Sequence, residues 1–304
     1  METFQTPILL ITFNRPDTTL KVLEAIKSVK PKKLYVSSDG PRHNNKDDKI
    51  GVDAVRVLVE EFVNWDCEVI KLYRDKNLGC KLGVSSAISW FFDNVEEGII
   101  LEDDCLPVTT FFRFCEELLE RYRQTQEVMM ISGDYFSLPD SSPPESYYFT
   151  KHFHIWGWAS WRRAWKKYDI TMSEWPNLES QFKKNLNFDN RIWKTYKTSF
   201  TRVFEGRINT WDYQWTYSSW KNDGLAICPT KNLISNIGFG ANATHTFNTE
   251  SILSELPTAQ MNFPLIHPIK VKRNLMIERR CEEISFPTLL TRIKDKLLML
   301  IKRA

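Results

Sequence analysis

The chain has 304 residues, of which 42% are hydrophobic and 13% aromatic, so it holds enough apolar side chains for a folded core and is not disordered. Its net charge of +3 is uneven, because residues 268–304 hold 10 Lys and Arg against 4 Asp and Glu, while the remainder holds 31 against 34. A mildly acidic body with a basic tail argues against a body that binds nucleic acid.

Strands and helices alternate in the first half of the chain. Apolar β-rich runs predict strands at 7–13, 32–40, 67–75 and 97–104. Apolar residues at helical spacing predict helices at 14–29, 52–65, 81–95 and 109–124, with a loop at 41–49. This alternation predicts an α/β fold with a central, mainly parallel sheet flanked by helices.

Polar residues follow each of these predicted strands. They are Asn14 and Arg15 after the first strand, Asp39 at the end of the second, Arg74 and Asp75 after the third, and Glu102, Asp103 and Asp104 after the fourth. In open α/β sheets, ligands bind at the carboxyl ends of the strands. We therefore expect these four loops to form one site.

The run Glu102-Asp103-Asp104, in the sequence GIILEDDCLP, places three carboxylates next to one another after an apolar strand. Three interpretations compete. The first is a solvated turn. The second is a two-metal hydrolase site, whose further His and Asp clusters are missing. The third is a divalent metal that bridges a nucleotide diphosphate, since carboxylates and phosphates suit Mg²⁺ or Mn²⁺.

A nucleotide would have to be held without a glycine-rich loop, because no Rossmann or P-loop motif follows any predicted strand. Polar strand ends are the remaining candidates. Asp39 can accept a hydrogen bond from a ribose hydroxyl or a base N–H, and Arg15 and Lys81 can meet phosphates. For Lys81, a surface lysine at the start of a helix is an equally good interpretation.

Tryptophan is concentrated in two segments of the second half. HIWGWASWRRAW at 154–165 and TWDYQWTYSSW at 210–220 hold seven of the chain's 11 tryptophans. Some of them, such as Trp161 and Trp165, are expected in the core. Others suit a sugar site, since aromatic rings stack on the apolar faces of sugars while nearby polar groups fix their orientation.

In their order along the chain, these motifs resemble the GT-A-fold nucleotide-sugar glycosyltransferases, most of all the N-acetylglucosaminyltransferase I group and bacterial family-2-like transferases. The resemblance covers residues 7 to about 247 and rests on ILLITFNRP, VSSDG, EDD, IWGWASW, TWDYQW and IGFGANATHT. It implies a GT-A domain at 1–250, with a nucleotide-binding half at 1–130 and an acceptor half at 131–250. Residues 251–304 would form a C-terminal extension.

The resemblance also implies an activity and roles for individual residues. The activity is a metal-dependent, inverting transfer from UDP-N-acetylglucosamine or another UDP-sugar to a glycan or lipid-linked acceptor in surface polysaccharide synthesis. Asp104 would bind Mn²⁺ or Mg²⁺, and Asp212 would be the catalytic base. Donor contacts would come from Thr12, Asn14, Arg15, Asp39, Lys81, Glu102, Asp103 and His245. Acceptor contacts would come from Trp156, Gly157, Trp158 and Trp211.

Each of these roles has a plainer alternative. Asp212 is also suited to cap a helix, and a lone histidine such as His245 is more often structural than catalytic. For the whole protein, the alternatives are a sugar nucleotidyltransferase and a non-catalytic glycan-binding module. A nucleotidyltransferase should carry a glycine-rich, basic loop near its start, which TFNRPDT lacks. A binding module would leave the acids at the sheet edge unexplained.

The cysteines and the C-terminal residues indicate where in the cell the protein is expected. None of the six cysteines has C-x-x-C spacing, and we expect buried free thiols at Cys67, Cys105, Cys115 and Cys228, which is typical of a reducing compartment. The start of the chain lacks the pattern of a signal peptide, and a cytoplasmic enzyme is expected. Residues 286–304 predict a basic amphipathic helix, which either packs on the protein or a dimer partner or contacts the inner face of a membrane.

Overall fold

The structure is a computed structural model and describes residues 4–136, 143–238 and 256–286. Strands β1 to β10 cover, in chain order, Ile8–Thr12, Lys33–Ser38, Glu68–Tyr73, Glu97–Glu102, Cys105–Pro107, Val128–Ser132, Tyr147–Thr150, Trp158–Trp161, Leu225–Pro229 and Ile234–Asn236. Helices α1 to α9 cover Pro16–Lys27, Lys46–Phe62, Gly79–Asn94, Thr109–Tyr122, Arg162–Trp165, Trp175–Leu186, Asn190–Phe204, Asp212–Lys221 and Leu275–Ser285.

Eight strands form one sheet in the order β3-β2-β1-β4-β8-β6-β9-β7. The first four strands in this order run parallel to one another, so their carboxyl ends meet at one edge. Strand β8 lies antiparallel between β4 and β6, β9 runs parallel to β6, and β7 closes the sheet antiparallel to β9. The predicted α/β fold with a central, mainly parallel sheet flanked by helices is confirmed.

The position of strand β1 explains why its sequence contains only apolar residues up to Thr12. All five of its residues are buried, because helices cover both faces of the sheet. Ile8 and Leu10 face a core that α1 and α4 complete, whereas Leu9 and Ile11 face a second core that α3 and the tryptophan-rich segments complete. Successive residues of a strand point to opposite faces, so a strand at the centre of such a sheet has no polar side.

Helix α2 begins earlier than the sequence pattern predicts. Asn45 caps it, because its side-chain oxygen accepts the N–H of Asp48 at 3.0 Å. Asp47 and Asp48 then place negative charge in the first turn, where the helix dipole favours it. The predicted loop 41–49 therefore gives way to helix from Lys46 onwards.

The second half of the chain extends this sheet and carries two further features. A two-stranded ribbon pairs β5 with β10 antiparallel, and so connects the acidic run to a segment over a hundred residues later. The C-terminal segment lies along the edge strand β7, where Ser146 donates to the carbonyl of Ile266 at 2.8 Å and Asn274 donates to that of Phe149 at 2.9 Å. Strand β7 is thereby covered on its outer side.

All six cysteines are free thiols. Cys105, Cys115 and Cys228 are buried as expected. Cys67 lies just before the edge strand β3 and is only half-buried, whereas Cys281 on α9 is buried. Within the described ranges, none of the helices is both long and apolar enough to cross a bilayer. Apart from Phe286, the predicted tail helix lies outside the described residues.

Candidate functional site

A cavity of about 480 Å³ opens at the carboxyl ends of β1, β2 and β4. Nine of the predicted site residues line it, namely Thr12, Arg15, Asp39, Glu102, Asp103, Asp104, Trp156, Trp211 and Asp212. These residues come from both predicted halves of the chain, since the last three lie more than fifty residues after the acidic run. The topology therefore brings the acidic run, the candidate base and two tryptophans to the same cavity.

Arg15 is the positive charge that accompanies the acidic run. It lies just before α1, and its guanidinium pairs with the carboxylate of Asp103 and, at 3.0 Å, with Oδ2 of Asp104. Asp103 is 3% exposed and also accepts the backbone N–H of Phe13 at 3.1 Å. Although burial lowers the pKa of Arg15, the two carboxylates outweigh this effect and raise it above its ordinary value.

One guanidinium does not neutralise three carboxylates. Burial, and then the negative charges of Asp104 and Asp103, raise the pKa of Glu102 to about 8. Burial also raises the pKa of Asp103 to about 6, against the opposing effect of Arg15. This end of the cavity has an excess of negative charge that a further cation would relieve.

The acids supply only part of a metal site. Within the described residues, no group of three or more His, Cys, Asp or Glu side chains is arranged to hold a metal ion. A divalent cation at Asp104 would take its remaining oxygen ligands from a bound diphosphate and water, which is common for Mg²⁺. The hard oxygens and the unbalanced charge fit such an ion, and Arg15 would share its carboxylates with it.

The chain passes very close to Asp104 on its other side. The N–H of Ile237, just after β10, donates to the carbonyl of Asp104 at 2.8 Å. Gly238 follows, and a Cβ on it would lie 2.8 Å from Cβ of Asp104 and overlap its carboxylate. Only glycine permits this approach, so the ribbon of β5 and β10 closes the acidic end of the cavity.

Asp39 joins the end of β2 to the start of α3. Its carboxylate accepts the N–H groups of Gly40 at 2.9 Å, Leu78 at 3.0 Å and Gly79 at 3.2 Å, together with the side-chain amide of Asn77 at 3.0 Å. It therefore caps α3 from a distant point of the chain. The sequence pattern did not indicate this structural role, and the predicted contact of Asp39 with a nucleotide stays a prediction.

Four other predicted residues do not line the cavity. Asn14 instead donates to the buried carboxylate of Asp48 at 2.7 Å, and Lys81 lies in the first turn of α3. Trp158 is 1% exposed and packs in the core on Trp211, with ring centroids 5.8 Å apart. Gly157, with a φ of 64°, packs against Ile234. Their predicted substrate contacts stay predictions, and His245 lies outside the described residues.

Two cavity residues, Arg42 and Cys80, were not predicted from the sequence. Arg42 forms an ion pair with Asp48, in which Nη2 donates to Oδ1 at 2.7 Å. Its guanidinium lies 5.6 Å from the centre of the Phe13 ring. The sequence analysis predicted a loop here, and the cap that Asn45 forms on Asp48 is the local signal that could have indicated order. Cys80 is a second case, because burial and the charges of Glu102 and Asp212 raise the pKa of its thiol to about 12. It stays protonated, between the acids of the two halves.

Asp212 and Trp156 come from the second half of the chain, and both line the cavity. Asp212 is the first residue of α8, where the helix dipole favours a carboxylate, and it accepts a hydrogen bond from Thr210 Oγ1. Its negative charge contributes to the raised pKa of Glu102, so the two carboxyl groups lie within electrostatic range of each other. Trp156 is half-buried, and Trp211 is 2% exposed. Trp156 is thus the predicted acceptor tryptophan that is best placed to meet a ligand.

Comparison with known proteins identifies no family for this chain. No family model matches the chain, and no curated protein does. Among solved structures it is similar to HddC from Yersinia pseudotuberculosis, at 7% identity and a TM-score of 0.32, over 52% of this chain and 78% of that one. It is also similar to the inositol-1-phosphate CTP transferase from T. maritima, at 9% identity and a TM-score of 0.39, over 82% and 94% of the two chains. Neither name is that of a glycosyltransferase.

Proposed function

We propose that the protein is a metal-dependent, inverting glycosyltransferase that uses a UDP-sugar, with UDP-N-acetylglucosamine as the first candidate, and a glycan or lipid-linked acceptor. One observation carries the proposal. The acidic run with Arg15 and the carboxylate of Asp212 line the same cavity from two halves of the chain. A nucleotide diphosphate suits the first group, and a general base is needed at the second.

The acidic end would bind the diphosphate of the donor. Mn²⁺ or Mg²⁺ held by Asp104 would neutralise the diphosphate as a leaving group. Arg15 would donate to the phosphate oxygens while keeping contact with Asp103. Phe13, Asp39 and Arg42 line the cavity next to this end and would surround the ribose and the base.

The cavity residues from the second half of the chain would bind the acceptor and remove its proton. Asp212 would accept the proton of the acceptor hydroxyl as that oxygen forms a bond to the anomeric carbon. The bond from this carbon to the diphosphate breaks at the same time, and the nucleoside diphosphate leaves from the opposite face of the sugar. The ring of Trp156 would lie against the acceptor sugar.

The test is metal-dependent thermal stabilisation by nucleotides. UDP, GDP, CDP and CTP are compared with Mn²⁺ and with EDTA, since a ligand at 100 times its dissociation constant stabilises a protein by about 2.7 kcal/mol. We expect stabilisation by UDP with Mn²⁺ only, and its loss in Asp104→Asn. Asp53→Asn is the control, because Asp53 is exposed and pairs with Lys49 in its own helix. Stabilisation of Asp104→Asn equal to that of the parent would remove Asp104 as the metal ligand.

A sugar nucleotidyltransferase is the second candidate. The name of the CTP transferase from T. maritima fits this candidate better than a glycosyltransferase. Such an enzyme would join a nucleoside triphosphate to a sugar phosphate and release pyrophosphate. Pyrophosphate release from CTP or UTP with a panel of sugar 1-phosphates, and no transfer from UDP-sugars, would establish it in place of the first candidate.

A further inference from the structure

A buried carboxyl group lies behind the wall that carries Trp156. Asp134 follows β6 and is fully buried. Its Oδ2 accepts the backbone N–H of Trp156 at 3.0 Å, and its own N–H donates to Oγ of Ser132 at 3.1 Å. Its Oδ1 has no hydrogen-bond partner among the described residues. A carboxyl group is costly to bury with one oxygen unpaired, so its position calls for an explanation.

The neighbours of Asp134 bind the same loop. Oγ of Ser132 donates to the carbonyl of His154 at 2.8 Å, and the N–H of Gly133 donates to that of Gly157 at 2.8 Å. Three consecutive residues, the last of β6 and the two that follow it, therefore hold three points of the loop 154–157. Because residues 154, 156 and 157 are all fixed from one side, the loop has little freedom to move away from the cavity.

Aromatic packing adds to this support. The ring of Phe136 meets that of Trp156 edge-on, with centroids 5.3 Å apart, and that of His154 at 4.4 Å. The bond from Asp134 holds the main chain of Trp156, whereas Phe136 holds its ring. Together they fix the direction in which the indole faces the cavity.

We propose that Asp134 is a positioning residue, which holds Trp156 in the cavity wall and so sets the affinity for the acceptor sugar; the second half of this proposal rests on the proposed function. Asp134 has no Lys, Arg or His partner among the described ion pairs, and burial raises its pKa well above the ordinary value. The bond that Oδ2 makes to the N–H of Trp156 needs an acceptor oxygen but no charge. A neutral amide of the same shape should serve equally well, while an apolar side chain should not.

The first experiment follows Trp156 without reference to activity. The protein is labelled with 5-fluorotryptophan, and its ¹⁹F resonance from Trp156 is identified by its loss in Trp156→Phe. We expect Asp134→Leu to shift or broaden this resonance and Asp134→Asn to leave it in place. Thr6→Val is the control, because it removes a buried hydroxyl that donates to Glu116 at 3.1 Å, next to the amino end of β1 and so at the opposite end of the strand from the cavity. An unmoved resonance in Asp134→Leu would overturn the proposal.

The second experiment measures the acceptor KM with methyl glycosides of glucose, galactose and N-acetylglucosamine. Asp134→Leu should raise it at least about tenfold, as expected when a buried donor loses its partner, with UDP affinity unchanged. Asp134→Asn should restore the parent value. Asp134→Leu combined with Trp156→Ala should be no worse than Trp156→Ala alone, since the first residue acts through the second. Additive losses, or an equal loss of UDP affinity, would reject the acceptor role even where the ¹⁹F shift is seen. No transfer by the parent protein, with the ¹⁹F result as expected, would count against the proposed function only.

Discussion

The two walls of the cavity are built on different physical principles. The acidic end rests on charge, because three adjacent carboxylates meet one guanidinium and part of their repulsion stays unbalanced. The aromatic wall, formed by Trp156 and Trp211, rests on packing, because Trp211 lies on the buried Trp158 and the ring of Trp156 is half-buried. The stability of a charged wall depends on bound ions and on pH, whereas that of a packed wall depends on the volume of its side chains.

This difference separates what each wall can contribute to function. A ligand that brings a cation reduces the repulsion between the carboxylates at the acidic end. Ligand binding and charge neutralisation are therefore coupled there. The aromatic wall is stable without a ligand and offers a preformed surface. A donor that binds with a metal and an acceptor that binds by shape would suit these two ends.

The largest expected effect is on turnover. Asp212→Asn keeps the shape of the side chain but removes the group that takes the proton, so turnover should fall by about 10²–10⁴-fold. UDP affinity should change far less, because Asp212 acts on the acidic end only through its charge. Steady-state kinetics and calorimetry check the two quantities.

The control for this variant is Asp223→Asn, an exposed aspartate after the same helix. Its turnover should equal that of the parent protein. A near-parental rate in Asp212→Asn would remove Asp212 from the mechanism and leave it a residue that stabilises the start of α8.

The second effect is on stability and separates the two kinds of tryptophan. Trp158→Ala empties a fully buried position and should cost about 3–5 kcal/mol in the free energy of unfolding. Trp156→Ala removes a half-exposed ring and should cost less than half as much. Urea unfolding with an unchanged m-value measures both. Equal losses would mean that Trp156 belongs to the core, and its proposed contact with a sugar would fall.

The acidic end was largely predictable from the sequence, for a local reason. Residues that follow parallel strands must come to one edge, so the order of strands and polar residues along the chain suffices to place Arg15, Asp39 and Asp104 together. The alternation of strands and helices indicated the fold class in the same way.

The aromatic wall was less predictable, because burial depends on contacts between distant segments. Trp156 and Trp158 are two residues apart in one motif, yet one lines the cavity and the other lies in the core. No pattern within the motif separates them. The roles of Asp39 as a cap for α3 and of Asp134 as a support for Trp156 likewise depend on hydrogen bonds across the fold.

The third prediction concerns pH and the charge on the acidic wall. The pKa of Glu102 is raised to about 8 from an ordinary value of 4.5, chiefly by burial. Between these two pH values the folded protein binds more protons than the unfolded chain, so stability is highest below the lower value and falls as pH rises towards the upper one. The slope for one such group is at most about 1.4 kcal/mol per pH unit.

Denaturant unfolding from pH 5 to pH 8 in EDTA measures this slope. Glu102→Gln should flatten it, since the amide does not titrate, and Mn²⁺ with UDP should reduce it in the parent protein. A slope that persists unchanged in Glu102→Gln would locate the titration elsewhere and would weaken the picture of an acidic wall short of positive charge.

The smallest expected effect comes from a single methyl group at Gly238. A Cβ there overlaps the Asp104 carboxylate, which must move and so loosen its pairing with Arg15. We expect Gly238→Ala to weaken Mn²⁺-dependent UDP binding by about tenfold, or about 1.4 kcal/mol. Gly206→Ala is the matched control: its φ of 72° makes alanine unfavourable by about 1–2 kcal/mol, but nothing lies within 4 Å of the new Cβ. It should therefore lower stability and leave UDP affinity as it was. If both variants lose stability and neither loses affinity, the close approach of Gly238 serves the fold alone, and the acidic wall binds its ligand without the help of β10.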